Sequence, residues 1–203
     1  MFNIDRQGFT LIEVIVSVAI IALVLAASGV NWRAQRGINL NLAAHQLAGD
    51  IRQMQSLTMG LRPLPDGTLP MGGWGINWRI NNDNNRRGYR LWADSRDGSS
   101  ICEDNCDHLW SVNEIVRSRS LPPDVYIDRI HLITDSGGTV NLTSTSSWGV
   151  NVVFEPPDPQ VWIVRQLNTH FGVTTYKAIK IYLSDGAQTR IVKVNKFGLV
   201  DVY

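Results

Sequence analysis

The chain has 203 residues, 44% hydrophobic and 18% charged, which is enough for one domain with its own core and too apolar for wholesale disorder. Nineteen Lys+Arg against eighteen Asp+Glu leave a formal charge of +1, so the overall balance does not mark a polyanion binder, and two cysteines are too few for a disulfide framework. The apolar residues are unevenly spread, and the N-terminal segment differs from everything after it.

Residues 9–30 read FTLIEVIVSVAIIALVLAASGV, with Glu13 the only ionisable side chain. As a helix such a segment rises about 33 Å, enough for the ~30 Å hydrocarbon layer of a bilayer. It reads as a membrane helix behind a short leader at 1–8. A cleaved secretory signal fits less well, because the one basic residue of the leader, Arg6, is offset by Asp5 and the apolar run outlasts a usual signal core. Glu13 is the anomaly: a carboxylate inside a membrane segment costs about 2.5–3.5 kcal/mol on insertion scales and is ordinarily paired or functional. If the chain is cut after Gly8, the new α-amine of Phe9 lies four residues from Glu13, at helical i,i+4 spacing. The amine of a neighbouring copy would serve equally, and solvation or protonation near the membrane edge is the plain alternative.

The run Gly8-Phe9-Thr10-Leu11-Ile12-Glu13 followed by an apolar helix resembles the N-terminal signature of type IV pilins and type II secretion pseudopilins. The resemblance implies cleavage between Gly8 and Phe9 by a prepilin peptidase on the cytoplasmic side, and methylation of the Phe9 amine. It implies that Glu13 neutralises such an amine as subunits pack, with Thr10, Leu11 and Ile12 in the same assembly segment. It further implies a single-pass protein of the inner membrane, its headgroup outside the cytoplasm, that later enters a pilus or pseudopilus. The implied partners are other pilin or pseudopilin subunits, an inner-membrane assembly platform and, before assembly, membrane lipid.

Beyond the membrane segment no proline occurs before Pro63, so the helix is expected to continue over 31–60. Leu40, Leu47, Ile51, Met54 and Leu57 recur on one face, with Asn41, Asp50, Arg52 and Gln53 mostly elsewhere, which predicts an amphipathic helix packed on a globular part. Gly60 and Pro63 supply its stop, and Gly29 and Gly37, each weakening a helix by about 1 kcal/mol relative to Ala, allow bending between the two portions.

Residues 61–203 read as a β-rich headgroup. Trp74, Ile76, Trp78 and Ile80 alternate with Gly75, Asn77 and Arg79, a polar loop follows at 81–87, and 88–93 resumes a strand, so a hairpin is predicted. Extended runs follow at 125–133, 149–154, 161–164, 178–183 and 190–194, with Asp185-Gly186 as a turn signal between the last two. The expected fold is α+β: a long N-terminal helix packed on an antiparallel sheet, without a second domain or an internal repeat. Leu91-Trp92-Ala93-Asp94 with Asp97-Gly98, Leu121-Pro122, Val153-Phe154-Glu155-Pro156 and the closing run from Val192 to Val200 resemble the GspH/FimT branch of minor pilins and minor pseudopilins. Some members of that branch bind DNA through a basic element after the final glycine. Here the matching stretch, Gly198 to Tyr203, holds Asp201 and no arginine, which counts against DNA uptake as the main role. Arg79, Arg86, Arg87 and Arg90 remain as a local patch for phosphates, with a solvated polar face as the plainer reading.

Cys102 and Cys106 suit a short-range disulfide in an oxidising compartment, in preference to a zinc site with His108, which would lack a fourth ligand. Asp94, Asp97, Glu103, Asp104 and Asp107 offer oxygens for calcium without a defined ligand spacing. The histidines His45, His108, His131 and His170 sit in unrelated contexts, no nucleophile-elbow or phosphate-loop pattern occurs, and neither an enzyme activity nor a cofactor is expected. The expected role is that of a structural subunit, a minor pilin or pseudopilin, with a DNA- or ligand-binding minor pilin as the alternative.

Overall fold

The computed structural model describes residues 10–65, 67–70, 72–80, 85–94, 115–143, 149–156, 160–166 and 175–203, without the side chains of 27–36, 85, 115 and 166. The chain divides into two compact units, Met1–Ile38 and Asn39–Tyr203, and helix α1 (Leu11–Met59) belongs to both. Its backbone is helical through Gly29 and Gly37, so neither glycine melts it, although the division into units falls just after Gly37.

In the first unit the side chains of residues 11–26 are exposed all round. Among the described residues no helix is long and apolar enough to cross a membrane. Residues 11–26 rise only about 24 Å at 1.5 Å per residue, and the ends of the expected 9–30 span lie outside the described side chains.

In the second unit the predicted helical stripe is present. Leu40, Leu47, Ile51 and Met54 are buried, Leu57 packs at their margin, and Ala43, Ala44 and Ala48 fill the same face closely enough for sheets to approach it. Asp50 departs from expectation: it is buried on this face rather than solvated. The stop also differs from the one predicted. The Arg62 N–H donates to the Leu57 carbonyl at 3.1 Å and the Leu61 N–H to the Thr58 carbonyl at 3.1 Å, the pattern of a Schellman motif. The residue that takes the left-handed conformation there is Leu61, with φ 45°, and not Gly60.

Ten strands follow among the described residues: β1 (Gly73–Arg79), β2 (Gly88–Asp94), β3 (Ile115–Ser120), β4 (Tyr126–Ile133), β5 (Thr139–Leu142), β6 (Gly149–Glu155), β7 (Gln160–Gln166), β8 (Ala178–Ser184), β9 (Thr189–Asn195) and β10 (Val200–Val202). A 3-10 turn at Asn85–Arg87 precedes β2. They form two antiparallel sheets where one was expected: sheet 1 in the order β3-β2-β1-β6-β7 and sheet 2 in the order β10-β9-β8-β4-β5. The hairpin of β1 and β2 is as predicted, and so is that of β8 and β9, whose turn is held by the Asp185 carboxylate accepting the N–H groups of Ala187 and Gln188 at 2.8 and 2.6 Å. Period-2 alternation sends Trp74, Ile76, Trp78 and Phe154 from sheet 1, and Ile130, Leu132, Ile181 and Val192 from sheet 2, into one core with the α1 stripe.

The opposite face of β1 is not the solvated one that its polar residues suggested. Asn77 is fully buried, its Nδ2 donating to Asn151 Oδ1 at 2.7 Å on the neighbouring strand β6. Gly75 lies under the Trp92 indole, so close that a Cβ there would stand 2.9 Å from the ring. Trp92 packs in turn with Val153 and Trp162 in a second, smaller apolar cluster.

Candidate functional site

The first turn of α1 is built from Thr10, Leu11, Ile12 and Glu13, the segment that the sequence resemblance links to assembly. Thr10 stands at the N-cap, its carbonyl accepting the N–H groups of Glu13 and Val14 at 3.1 and 3.3 Å. The Glu13 carboxylate reaches back and accepts both the Thr10 N–H and the Thr10 hydroxyl, each at 2.9 Å, while Thr10 Oγ1 lies 3.4 Å from the Glu13 N–H. This is a capping box, in which a helix start satisfies two otherwise orphaned donors by exchange between the N-cap and N3 positions. The T-x-x-E spacing from Thr10 to Glu13 carried the signal for it in the sequence. A carboxylate at a helix N-terminus is also favoured by the helix dipole. Leu11 and Ile12 point into solvent in this unit, and Gly8 and Phe9 lie outside the described residues. Residues 4–29 match the prokaryotic N-terminal methylation motif. That match is the prepilin signal of type IV pilin-like proteins, and the capping box falls inside it. Comparison of the chain with curated proteins and with solved structures finds no match.

The arginines considered as a local basic patch, Arg79, Arg86, Arg87 and Arg90, separate into two sets. Arg86 donates to the carbonyls of Ile127 and Asp128 at 2.9 and 3.2 Å and lies 4.9 Å from the Tyr126 ring centroid, while Arg87 donates to the Pro123 carbonyl at 2.8 Å. Both therefore fasten the 3-10 turn to the segment around β4. Arg79 and Arg90 line a cleft of about 130 Å³ on sheet 1 with Asn77, Ser118 and Arg119. Burial, and then the neighbouring Arg90 charge, hold the Arg79 guanidinium below its usual pKa.

Cys102, Cys106, Asp97, Glu103, Asp104 and Asp107 lie outside the described residues, as do His108 and His170. Asp94 is buried at the end of β2, and among the described residues no group of three His, Cys, Asp or Glu side chains is placed to hold a metal ion. His45 is exposed on α1, and His131 lies on sheet 2 with Nδ1 3.2 Å from the Tyr182 hydroxyl. Burial and then the charges of Arg129 and Lys180 push the His131 pKa down.

The polar cluster that sequence reasoning missed joins α1 to sheet 1. Asp50 Oδ2 accepts the Tyr89 hydroxyl at 2.7 Å, and both Asp50 oxygens accept from the Arg119 guanidinium, at 3.1 and 3.2 Å. Burial first, then the bond to Asp50 and its charge, raise the Tyr89 pKa above the usual phenol range.

Proposed function

We propose that the protein is a structural subunit of a type IV pilus or type II secretion pseudopilus, a minor pilin or minor pseudopilin of the GspH/FimT kind. In this reading a prepilin peptidase cuts between Gly8 and Phe9, the Phe9 amine is methylated, and the apolar start of α1 passes from the inner membrane into a bundle of neighbouring subunit helices. The headgroup, residues 61–203, is carried outside the cytoplasm. The observation that carries the reading is the methylation motif at residues 4–29. An exposed apolar helix face at residues 11–26, which needs either lipid or other helices to cover it, supports it.

Glu13 has two candidate roles on this account, as partner of a freed amine and as the N3 half of the cap, and one pair of variants separates them. Glu13→Gln keeps a capping side chain but loses the charge, whereas Glu13→Ala loses both. If the carboxylate balances an amine during packing, both variants insert in the membrane at normal levels and both fail to enter filaments, read by immunoblot of sheared filaments against the membrane fraction. Normal entry of Glu13→Gln would contradict the charge pairing and leave the cap as the whole role of Glu13.

A further inference from the structure

Strand alternation gathers positive charge at the cleft on sheet 1. Trp78, Tyr89 and Leu91 turn into the core, so Asn77 and Arg79 on β1 and Arg90 on β2 lie on the opposite face of the sheet. There Asn77 stands across from Arg90, and Arg90 across from Ser118 on β3. Continuing the register of β1 and β2 sets Arg79 across from Gly88. A side chain at Gly88 would run into the Arg119 carbonyl, so that position stays empty, and the cleft of about 130 Å³ opens beside the two arginines.

The described residues that line this cleft include three arginines, Ser118 and Asn77, and no Asp or Glu. Arg119 directs its guanidinium to Asp50, which sets its charge against a carboxylate on α1. Arg79 and Arg90 are half-buried, and the depressed Arg79 pKa, caused by burial and then by the Arg90 charge, shows that the two guanidinium charges feel each other. An anion between them would relieve that repulsion. Guanidinium forks present paired, directed donors that suit an oxyanion, and the exposed Ser118 hydroxyl adds another donor at the mouth.

Charge number narrows the choice of oxyanion. Two cations balance a dianion such as a phosphate monoester, whereas a carboxylate balances only one. A phosphodiester strand needs a track of cations for its successive phosphates. Arg86 and Arg87 do not extend the pair into such a track, because they donate to the carbonyls of Ile127, Asp128 and Pro123 and do not line the cleft.

We propose that the sheet 1 cleft binds a single phosphate monoester group, held by the Arg79 and Arg90 guanidiniums and the Ser118 hydroxyl. The site lies within the second unit and is independent of the N-terminal processing argued above, so either reading can fail without the other.

The test titrates the full-length chain in non-ionic detergent with inorganic phosphate and with glycerol phosphate, by calorimetry and by thermal unfolding, against chloride and acetate at equal ionic strength. One-to-one binding and a rise in Tm are expected in phosphate alone. Arg79→Gln and Arg90→Gln should each weaken binding about tenfold or more. Lys193→Gln, which removes the same charge from sheet 2, should leave it unchanged. Ser118→Asp brings a carboxylate to the two guanidiniums, so it should raise Tm in phosphate-free buffer and abolish the response to phosphate, which keeps the proposal testable where an arginine variant fails to fold. Vesicles carrying phosphatidic acid, compared with glycerol phosphate, distinguish a lipid headgroup from a free ester, and tighter binding of either supports the site when Arg79→Gln removes it. No binding beyond that of chloride, equal binding of acetate, or phosphate binding that Arg79→Gln or Ser118→Asp leaves intact overturns the proposal. Tighter, steeply salt-dependent binding of an oligonucleotide overturns it as well, because that outcome names a polymer as the occupant.

Discussion

Asp50 ties three elements with one carboxylate: it leaves α1, takes the hydroxyl of Tyr89 on β2 and receives the guanidinium of Arg119 on β3. Removing it strands a phenol and a half-covered cation, and Asp50→Ala is expected to destabilise the fold by about 2–5 kcal/mol in urea denaturation. Tyr89 adds a pH dependence whose sign follows from its raised pKa. The native state keeps a proton that the unfolded chain releases near pH ~10, so the contribution is whole below that pH and is lost as pH climbs above it. Tyr89→Phe should flatten the alkaline fall in stability, and an unchanged fall would contradict the burial of this phenol. The sequence hid Asp50 because residues were sorted by type. At 100° per residue Asp50 sits only about 20° from Leu57 around the helix, inside the apolar arc, and only its partners, distant in sequence, make that placement tolerable. Thr10 and Glu13 are the opposite case. Their cap is local, so the T-x-x-E spacing held its signal without any tertiary information, although the sequence reading took Glu13 only as a charge to be balanced.

Among the elements, what was legible follows from how local the determinants are. The α1 stripe was read from periodicity alone, and its burial gives a direct check: Ile51 is fully buried, so Ile51→Ala should cost about 2–5 kcal/mol, whereas a loss below 1 kcal/mol would mean that the stripe does not pack as described. The two hairpins were legible through their turns. The strands β3 (IVRSRS), β5 (TVNL) and β10 (VDV) were missed because they are short or polar and lack a full period-2 pattern. The division into two sheets was hidden for a different reason. It depends on β1 pairing with β6 and β4 with β8, where Asn77 meets Asn151 and Ile130 meets Ile181, and no local pattern fixes such register. The bulge between Ile127 and Arg129 also breaks the alternation that would have marked the inward face of β4. For the candidate sites, the arginine run at the hairpin was visible but its fate was not, since Arg86 and Arg87 are drawn to carbonyls that only folding brings near.

At the scale of the whole molecule the chain combines a prepilin signal at residues 4–29 with an α+β unit that buries its own core, Asn39–Tyr203. The two parts impose different demands. The described residues of the second unit share one main buried apolar core, while residues 11–26 leave their apolar side chains exposed and, on the proposed reading, are covered by lipid or by other subunits. On the proposed reading maturation links the two, because a cut after Gly8 would create the amine that Glu13 is proposed to balance. The most direct measurement is therefore intact-mass and N-terminal peptide mass spectrometry of the chain recovered from cells that contain a prepilin peptidase. The account predicts a mature chain that begins at Phe9 and carries one added methyl group on its α-amine; a chain that still begins at Met1 would contradict it.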